Sequence, residues 1–124
     1  MFTVEITTEF AAAHAIVIAG RREPVHGHNW HVTALISGPT LDPDGLLCDF
    51  HTVHEVLVDI VAPFHNNNLN TTTPFDETNP TAERIAEHIA DQLTQRLGDA
   101  LAAAARVESV RVTESPGCAA IYRP

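Results

Sequence analysis

Two segments in the first third of the chain alternate apolar and polar residues, one over residues 2–10 and one over residues 28–36. A period of two is typical of a half-buried strand, because successive side chains of a strand point to opposite faces. A Gly-Pro pair ends the second segment. We therefore predict a long antiparallel hairpin, with the Gly- and Pro-containing stretch 15–25 as the loop that joins its strands.

Apolar residues spaced three and four apart predict a first helix after Asp49, which is a suitable N-cap. A second helix is predicted with Asn79 as its N-cap and Pro80 at its first position, and its apolar stripe ends at Gly98. The Asn-rich stretch between the helices is predicted to be a loop. The alanine run 102–105 is either a continuation of the second helix or a connection.

The C-terminal part of the chain predicts a second hairpin. Residues 107–114 and 118–122 are strand-like, and a Ser-Pro-Gly turn separates them. The predicted order of elements is therefore β-β-α-α-β-β, which is an α+β arrangement. A chain of 124 residues fits one domain, residues 1–124, with a core of its own.

Charge and composition limit the classes of molecule that this protein is expected to bind. The chain has 7 Lys and Arg against 16 Asp and Glu, a formal net charge of −9, which argues against a nucleic acid or an anionic membrane as partner. No basic, apolar leader and no apolar run of membrane-spanning length is present, so we expect a cytoplasmic protein. Cys48 and Cys118 lack metal-binding spacing and are expected to be small buried residues.

Three histidines share one face of the predicted hairpin. His26 and His28 are two residues apart in extended backbone, so both can reach one ion, and His14 is in phase with the apolar residues of the first strand. Three histidine ligands with an open fourth position describe a catalytic zinc site. The alternative is a chance grouping, since the chain contains 8 histidines.

A carboxylate continues the buried face of the third predicted strand. Glu114 has the parity of Val110 and Val112, which directs it toward the apolar side. An unpaired buried carboxylate is costly, so Glu114 should face donors from a ligand or from nearby backbone. The alternative is an exposed glutamate at a frayed strand end.

Six short motifs, taken in order, carry a family resemblance over essentially the whole chain. The motifs are Phe10–His14, His26–Asn29, Gly45–Phe50, Asn68–Asn70, Asn79–Glu83 and Val112–Glu114. Together they resemble the 6-pyruvoyl-tetrahydropterin synthase and 6-carboxy-tetrahydropterin synthase family. The combination in this order is specific, although no single motif is.

The resemblance implies the tunnelling fold (T-fold), a four-stranded antiparallel sheet with two helices on one face. It implies three subunits that close a barrel and two trimers that stack into a hexamer. It further implies Zn2+ on His14, His26 and His28, substrate-binding roles for Thr113 and Glu114, and a 7,8-dihydroneopterin-type substrate.

The chain also departs from the family pattern. The family's catalytic cysteine precedes the histidine pair, and Gly20–Val25 contains none. Glu23 stands there, as in a variant branch that cleaves the side chain to give 6-hydroxymethyl-7,8-dihydropterin. The family's catalytic Asp-His pair aligns with His65 and Asn66, so either His65 has taken over this role or the role is lost.

The function that the resemblance implies is that of a zinc-dependent pterin lyase that breaks a carbon-carbon or carbon-oxygen bond. Glu23 and His65 are its expected catalytic residues. One alternative is a homologue that binds zinc and pterin without synthase turnover, and another is a structural interaction protein with accidental histidines.

Overall fold

The computed structural model describes residues 1–124 and consists of a five-stranded sheet backed by two helices, with a separate two-stranded sheet. The elements are, in chain order, β1 (Phe2–His14), β2 (Val17–Ile18), β3 (Arg21–Arg22), β4 (His26–Gly38), α1 (Phe50–Val61), β5 (Asn67–Asn68), α2 (Ala82–Leu97), β6 (Arg106–Ser115) and β7 (Cys118–Tyr122). The sheet has the strand order β5-β1-β4-β6-β7, in which only β5 runs parallel to its neighbour β1. The predicted order β-β-α-α-β-β is confirmed for the main strands and the helices.

The hairpin of β1 and β4 is longer than its alternation indicated. The two strands pair without a register shift from Phe2 opposite Gly38 to His14 opposite His26. The predicted buried parity holds from Ile6 onward, but Phe2 is 47% exposed because it lies outside the core cluster. On β4, the predicted apolar set is buried: Trp30, Val32, Ala34 and Ile36.

Both helices bury their apolar sides in a core cluster of 25 residues. Asp49 caps α1 as predicted, since its carboxylate accepts a hydrogen bond from the His51 N–H. The predicted cap of α2 is wrong, because Thr81 and not Asn79 caps this helix and Pro80 lies outside it.

No helix has the combination of length and apolar composition that a membrane crossing requires.

Two segments predicted as loops contain regular structure, and the structure decides between the two alternatives for the alanine run. The stretch 15–25 forms the small hairpin of β2 and β3. The Asn-rich stretch contains β5 and a short 3-10 helix, Leu69–Thr71, so the sheet has five strands and not four. The alanine run 102–105 is a connection, held where Leu101 bridges to Cys48.

The two cysteines differ in their surroundings. Cys48 is buried, as expected, but Cys118 is exposed. The second expectation was wrong because Cys118 begins the edge strand β7, where a neighbour covers only one side of the backbone.

We predict that Gly38→Ala destabilises the protein. A Cβ at Gly38 would lie 2.8 Å from Leu47 Cδ1 and 3.0 Å from the backbone Cα of Ala105, which cannot rotate away. The expected loss is about 1–3 kcal/mol in the free energy of unfolding, measured by urea denaturation of metal-free protein. Gly27→Ala is the matched control on the same strand, because its Cβ would meet nothing within 4 Å. Equal losses in both variants would contradict this explanation.

Candidate metal centre

The register of β1 and β4 brings the three predicted histidines together. His14 pairs with His26, and His28 pairs with Ala12 two positions further along. The ring centroids of the three imidazoles lie 4.6–5.2 Å apart. One ligand atom from each imidazole and one carboxylate oxygen of Glu114 all lie within 4.8 Å of one another. We call these four residues the metal cluster.

A break in strand pairing places Glu114 in the metal cluster. The register of β6 against β7 shifts between Thr113 and Ser115, and such bulges redirect a side chain. Glu114 Oε1 lies 2.9 Å from His14 Nε2 and 3.3 Å from His28 Nε2. The sequence indicated the direction of this carboxylate but not its proximity to the imidazoles.

Backbone carbonyls fix the orientation of two of the imidazoles. His14 Nδ1 donates to the Pro80 carbonyl at 2.8 Å, and His26 Nδ1 donates to the Pro24 carbonyl at 2.9 Å. Since a carbonyl only accepts, Nδ1 carries the proton in each ring, and the Nε2 of the neutral ring offers a lone pair. This is the arrangement that orients histidine ligands in metal sites.

The chemistry of the metal cluster fits a divalent metal ion. The buried Nε2 atoms of His14 and His28 form no hydrogen bond, although a carboxylate oxygen lies nearby. A neutral Nε2 and a carboxylate oxygen are both acceptors, and a cation between them makes their approach favourable. Ligands about 2.1 Å from a tetrahedral zinc ion would be about 3.4 Å apart. Glu114 Oε1 lies 2.9 and 3.3 Å from two of the imidazole nitrogens, and all four ligand atoms lie within 4.8 Å of one another.

Electrostatics favour the neutral form of one ligand. Burial lowers the pKa of His28 below its ordinary value; Glu114 opposes this effect, and His14 and His26 reinforce it. The lowered pKa favours the neutral form of His28. A neutral imidazole is the form that binds a metal.

Glu23 lies at the edge of the metal cluster. Its Oε1 is 3.6 Å from His26 Nε2 and accepts a hydrogen bond from the Ile16 N–H at 3.1 Å. The Glu23 N–H in turn donates to the Ile16 carbonyl at 3.0 Å. The hairpin of β2 and β3 therefore holds this carboxylate beside the imidazoles.

Two other residues predicted for the site lie apart from the metal cluster. His65 Nδ1 accepts a hydrogen bond from the Ala11 N–H at 3.1 Å, at the edge of β1. The Thr113 hydroxyl accepts from the Arg111 guanidinium at 2.8 Å, on the exposed side of β6. His31, further along β4, is exposed and contacts Glu9.

The sequence did not indicate two asparagines that hold the chain after His14. Asn70 exchanges two hydrogen bonds with the backbone of Ala15, at 2.7 and 2.8 Å. Asn79 does the same with Val17, at 2.8 and 2.9 Å. Each side-chain amide makes the pair of backbone hydrogen bonds that a neighbouring strand would make. These residues therefore hold the chain that follows His14, and with it one side of the metal cluster. Asn70 lies in the Asn-rich stretch, which also indicates an ordinary loop, and the sequence indicated Asn79 only as a helix cap.

Two cavities flank the metal cluster. A cavity of about 360 Å³ is lined by His28 and by residues of β1, β4 and β5, together with Asn66. A second cavity, of about 400 Å³, is lined by Glu114, the start of α2 and the first residues of β7. Both volumes fall within the range of small-molecule sites.

Solved structures define the class to which this fold belongs. The chain is similar to a 6-pyruvoyl tetrahydropterin synthase of Caenorhabditis elegans, with a TM-score of 0.82 at 20% identity over 99% of this chain and 95% of that chain. It is also similar to a Plasmodium vivax 6-pyruvoyltetrahydropterin synthase in which a catalytic glutamate is replaced by alanine, with a TM-score of 0.75 at 20% identity over 100% and 99% of the chains. The protein is therefore a T-fold protein, as predicted.

Sequence comparison identifies the family. The profile of the 6-pyruvoyl tetrahydropterin synthase family matches residues 3–124. A protein of Archaeoglobus fulgidus, provisionally named a 6-carboxy-5,6,7,8-tetrahydropterin synthase, is 31% identical over 112 residues, which are 90% of this chain and 87% of that protein. The chain belongs to the 6-pyruvoyl tetrahydropterin synthase family, which confirms the resemblance of its motifs.

We predict that the purified protein carries about one zinc ion per chain and that His28→Ala loses it, because His28 supplies one of the converging lone pairs. Elemental analysis after gel filtration measures the metal content. His31→Ala is the matched control, since His31 lies on the same strand with its side chain 60% exposed. Unchanged zinc in His28→Ala would remove this residue from the site.

Proposed function

We propose that this protein is a zinc-dependent lyase that acts on the side chain of a dihydropterin. Family membership supports the substrate class, since the family consists of pterin-modifying lyases. The observation that carries the proposal is the convergence of three imidazole nitrogens beside two carboxylates, those of Glu23 and Glu114. This set provides both a metal site and a separate base.

In this proposal His14, His26 and His28 hold the metal. When bound, zinc supplies a Lewis acid that stabilises negative charge on the substrate. The ring of His14 is fully buried, so one side of the site is dry and electrostatic interactions there are strong.

Glu23 is the proposed general base that removes a proton from the substrate side chain. Its carboxylate is anchored on Ile16 and lies close to His26. The loop Gly20–Val25 offers no thiol for the task. A glutamate is also a catalytic residue in the similar Plasmodium vivax enzyme. His65 is the second proposed proton-transfer residue, acting from the edge of β1.

The proposed site for the pterin ring is the cavity of about 400 Å³ beside Glu114. A carboxylate can accept paired hydrogen bonds from the 2-amino group and the ring N–H of a pterin, which is a charge-assisted bidentate contact. Thr113, next to Glu114 on β6, is the second proposed substrate-binding residue.

The test of this function is product identification after zinc-loaded protein is incubated with 7,8-dihydroneopterin triphosphate. Chromatography with mass spectrometry distinguishes 6-pyruvoyl, 6-carboxy and 6-hydroxymethyl products. We expect one of them to accumulate as the substrate disappears. Binding of the substrate without depletion would favour the alternative, a zinc- and pterin-binding homologue without turnover.

We predict that Glu23→Gln lowers turnover by about 10²–10⁴-fold, the usual effect of removing a general base, and leaves zinc content intact. Cys48→Ala is expected to keep nearly the full rate, because Cys48 is buried in the hydrophobic core cluster. If alkylation of the exposed thiol abolished turnover while Glu23→Gln remained active, the chemistry would belong to a cysteine.

We also propose that the protein forms a homo-hexamer of two trimers, and we predict that this hexamer is present in solution. β5 covers β1 only at Ala12 and Ala13, and β7 leaves the other edge of the sheet open. Closing a barrel across subunits removes such edges. Light scattering should give a mass of about six chains, as the family resemblance implies, and a monomer at micromolar concentration would contradict the assembly.

A further inference from the structure

A half-buried imidazole joins α2 to the segment between the two helices, residues 62–81, which we call the interhelix segment. The His88 ring packs edge-on against two phenyl rings of this segment, with its centroid 5.7 Å from that of Phe64 and 5.4 Å from that of Phe75. Both phenyl rings are 2% exposed and belong to the core cluster. His88 therefore packs where the interhelix segment is anchored to the body of the protein.

The interhelix segment also holds the end of β1 that carries His14. Asn70 exchanges two hydrogen bonds with the backbone of Ala15, at 2.7 and 2.8 Å. The Pro80 carbonyl accepts the proton of His14 Nδ1 at 2.8 Å. A loosening of the interhelix segment would therefore reach the metal cluster, although His88 contacts none of its residues.

A cavity of about 190 Å³ lies beside the imidazole of His88. The residues of the interhelix segment that line this cavity or contact the ring carry no charge: Phe64, Pro74, Phe75 and Thr78. The charged residues that line the cavity lie on α2 itself: Arg84, Glu87 and Asp91. Arg84 and Glu87 pair with each other at 2.8 Å, which leaves Asp91 as the unpaired charge beside His88.

Burial against the phenyl rings makes the charged form of His88 unfavourable. It lowers the pKa of His88 below its ordinary value, and Asp91 opposes this effect without cancelling it. If the interhelix segment left α2, water would reach the ring and its pKa would return toward about 6.5. Below about pH 6.5 the released form therefore takes up a proton more readily than the docked form, so acid favours release.

We propose that His88 is a pH-sensitive latch, whose neutral imidazole keeps the interhelix segment docked on α2 and whose protonation releases the segment from its place beside His14. The latch acts through Asn70 and Pro80, which hold the end of β1. It goes beyond the proposed function, because it concerns the positioning of His14 and requires no turnover. The histidines of the metal cluster are then held firmly above neutral pH and loosened in acid.

Hydrogen exchange of the full-length protein, followed by NMR, tests the release. The reporters are the backbone amides of Ala15, bonded to Asn70, and of Phe75, which donates to the Thr72 carbonyl at 2.8 Å. Their opening constants, corrected for the intrinsic pH dependence of exchange, should rise several-fold from about pH 7.5 to about pH 5.5. One proton limits this rise to about tenfold per pH unit. The amides in the middle of β4 should change less, because the release is local.

Two variants and a control assign this rise to His88. His88→Phe keeps an aromatic ring that cannot be protonated, and the cavity beside it leaves room for the larger side chain. His88→Leu is a second apolar variant, with a more flexible side chain. The additional opening in acid should be lost in both. His54→Gln is the matched control, because it removes an exposed imidazole from α1, and it should keep the rise of the wild type.

Zinc affinity tests the link between the latch and the metal cluster. Histidines that bind a metal compete with protons, so affinity falls in acid in every variant. The informative quantity is therefore the ratio of the zinc affinities of the wild type and His88→Phe, measured by competition with a chromophoric chelator. The ratio should be close to one at about pH 7.5 and fall several-fold by about pH 5.5.

The outcomes separate the latch from the proposed function. The same rise in wild type and in both His88 variants would overturn the latch. Opening constants that fall in acid would also overturn it, since they would show that the aromatic rings hold the charged imidazole. A constant ratio of zinc affinities would overturn the link to the metal cluster. Absence of zinc binding would contradict the proposed function, and hydrogen exchange would still decide the latch.

Discussion

The unbroken antiparallel pairing of β1 with β4 is the interaction on which the rest of the structure depends. Each strand contributes 13 residues, and the paired ends carry the histidines of the metal cluster. Because side chains alternate with a period of two, a slip of one residue would turn the imidazoles of one strand toward solvent. Phe10 and Trp30 stack directly opposite each other, and Trp30 Nε1 donates to the Ala12 carbonyl. These contacts fix the register two residues from His28, the nearest histidine of the metal cluster.

Distant segments then restrain the end of β1 that the sheet leaves free. The chain leaves the β4 pairing at His14, and from there Asn70 and Asn79 supply hydrogen bonds that a neighbouring strand would otherwise provide. The Pro80 carbonyl accepts the His14 Nδ1–H from the same region. Thr81 rather than Asn79 caps α2, which frees the Asn79 amide for this purpose. The residues at the start of α2 thus both cap the helix and position His14 and the chain that follows it.

The sequence predicted the features that depend on periodicity and missed those that depend on distant partners. Alternation identified β1 and β4, and parity brought His14 into phase with His26 and His28. The hairpin of β2 and β3, the short β5 and the amide contacts carry too few residues to show a period. Glu114 lies between these cases, because parity gave its direction while the bulge that brings it to the imidazoles has no sequence signature.

The histidines of the metal cluster lie on regular strand backbone, whereas the two nearby carboxylates lie on irregular backbone. The imidazoles project from paired strands, whereas Glu23 follows a two-residue strand and Glu114 lies at a bulge. A change of the proposed base in the loop before His26 therefore need not disturb the histidines of the metal cluster. It would disturb the loop itself, because the Glu23 carboxylate accepts the Ile16 N–H. A thiol at position 23 would offer only a weak acceptor, so exchanging glutamate for cysteine requires a different loop conformation as well as a different side chain.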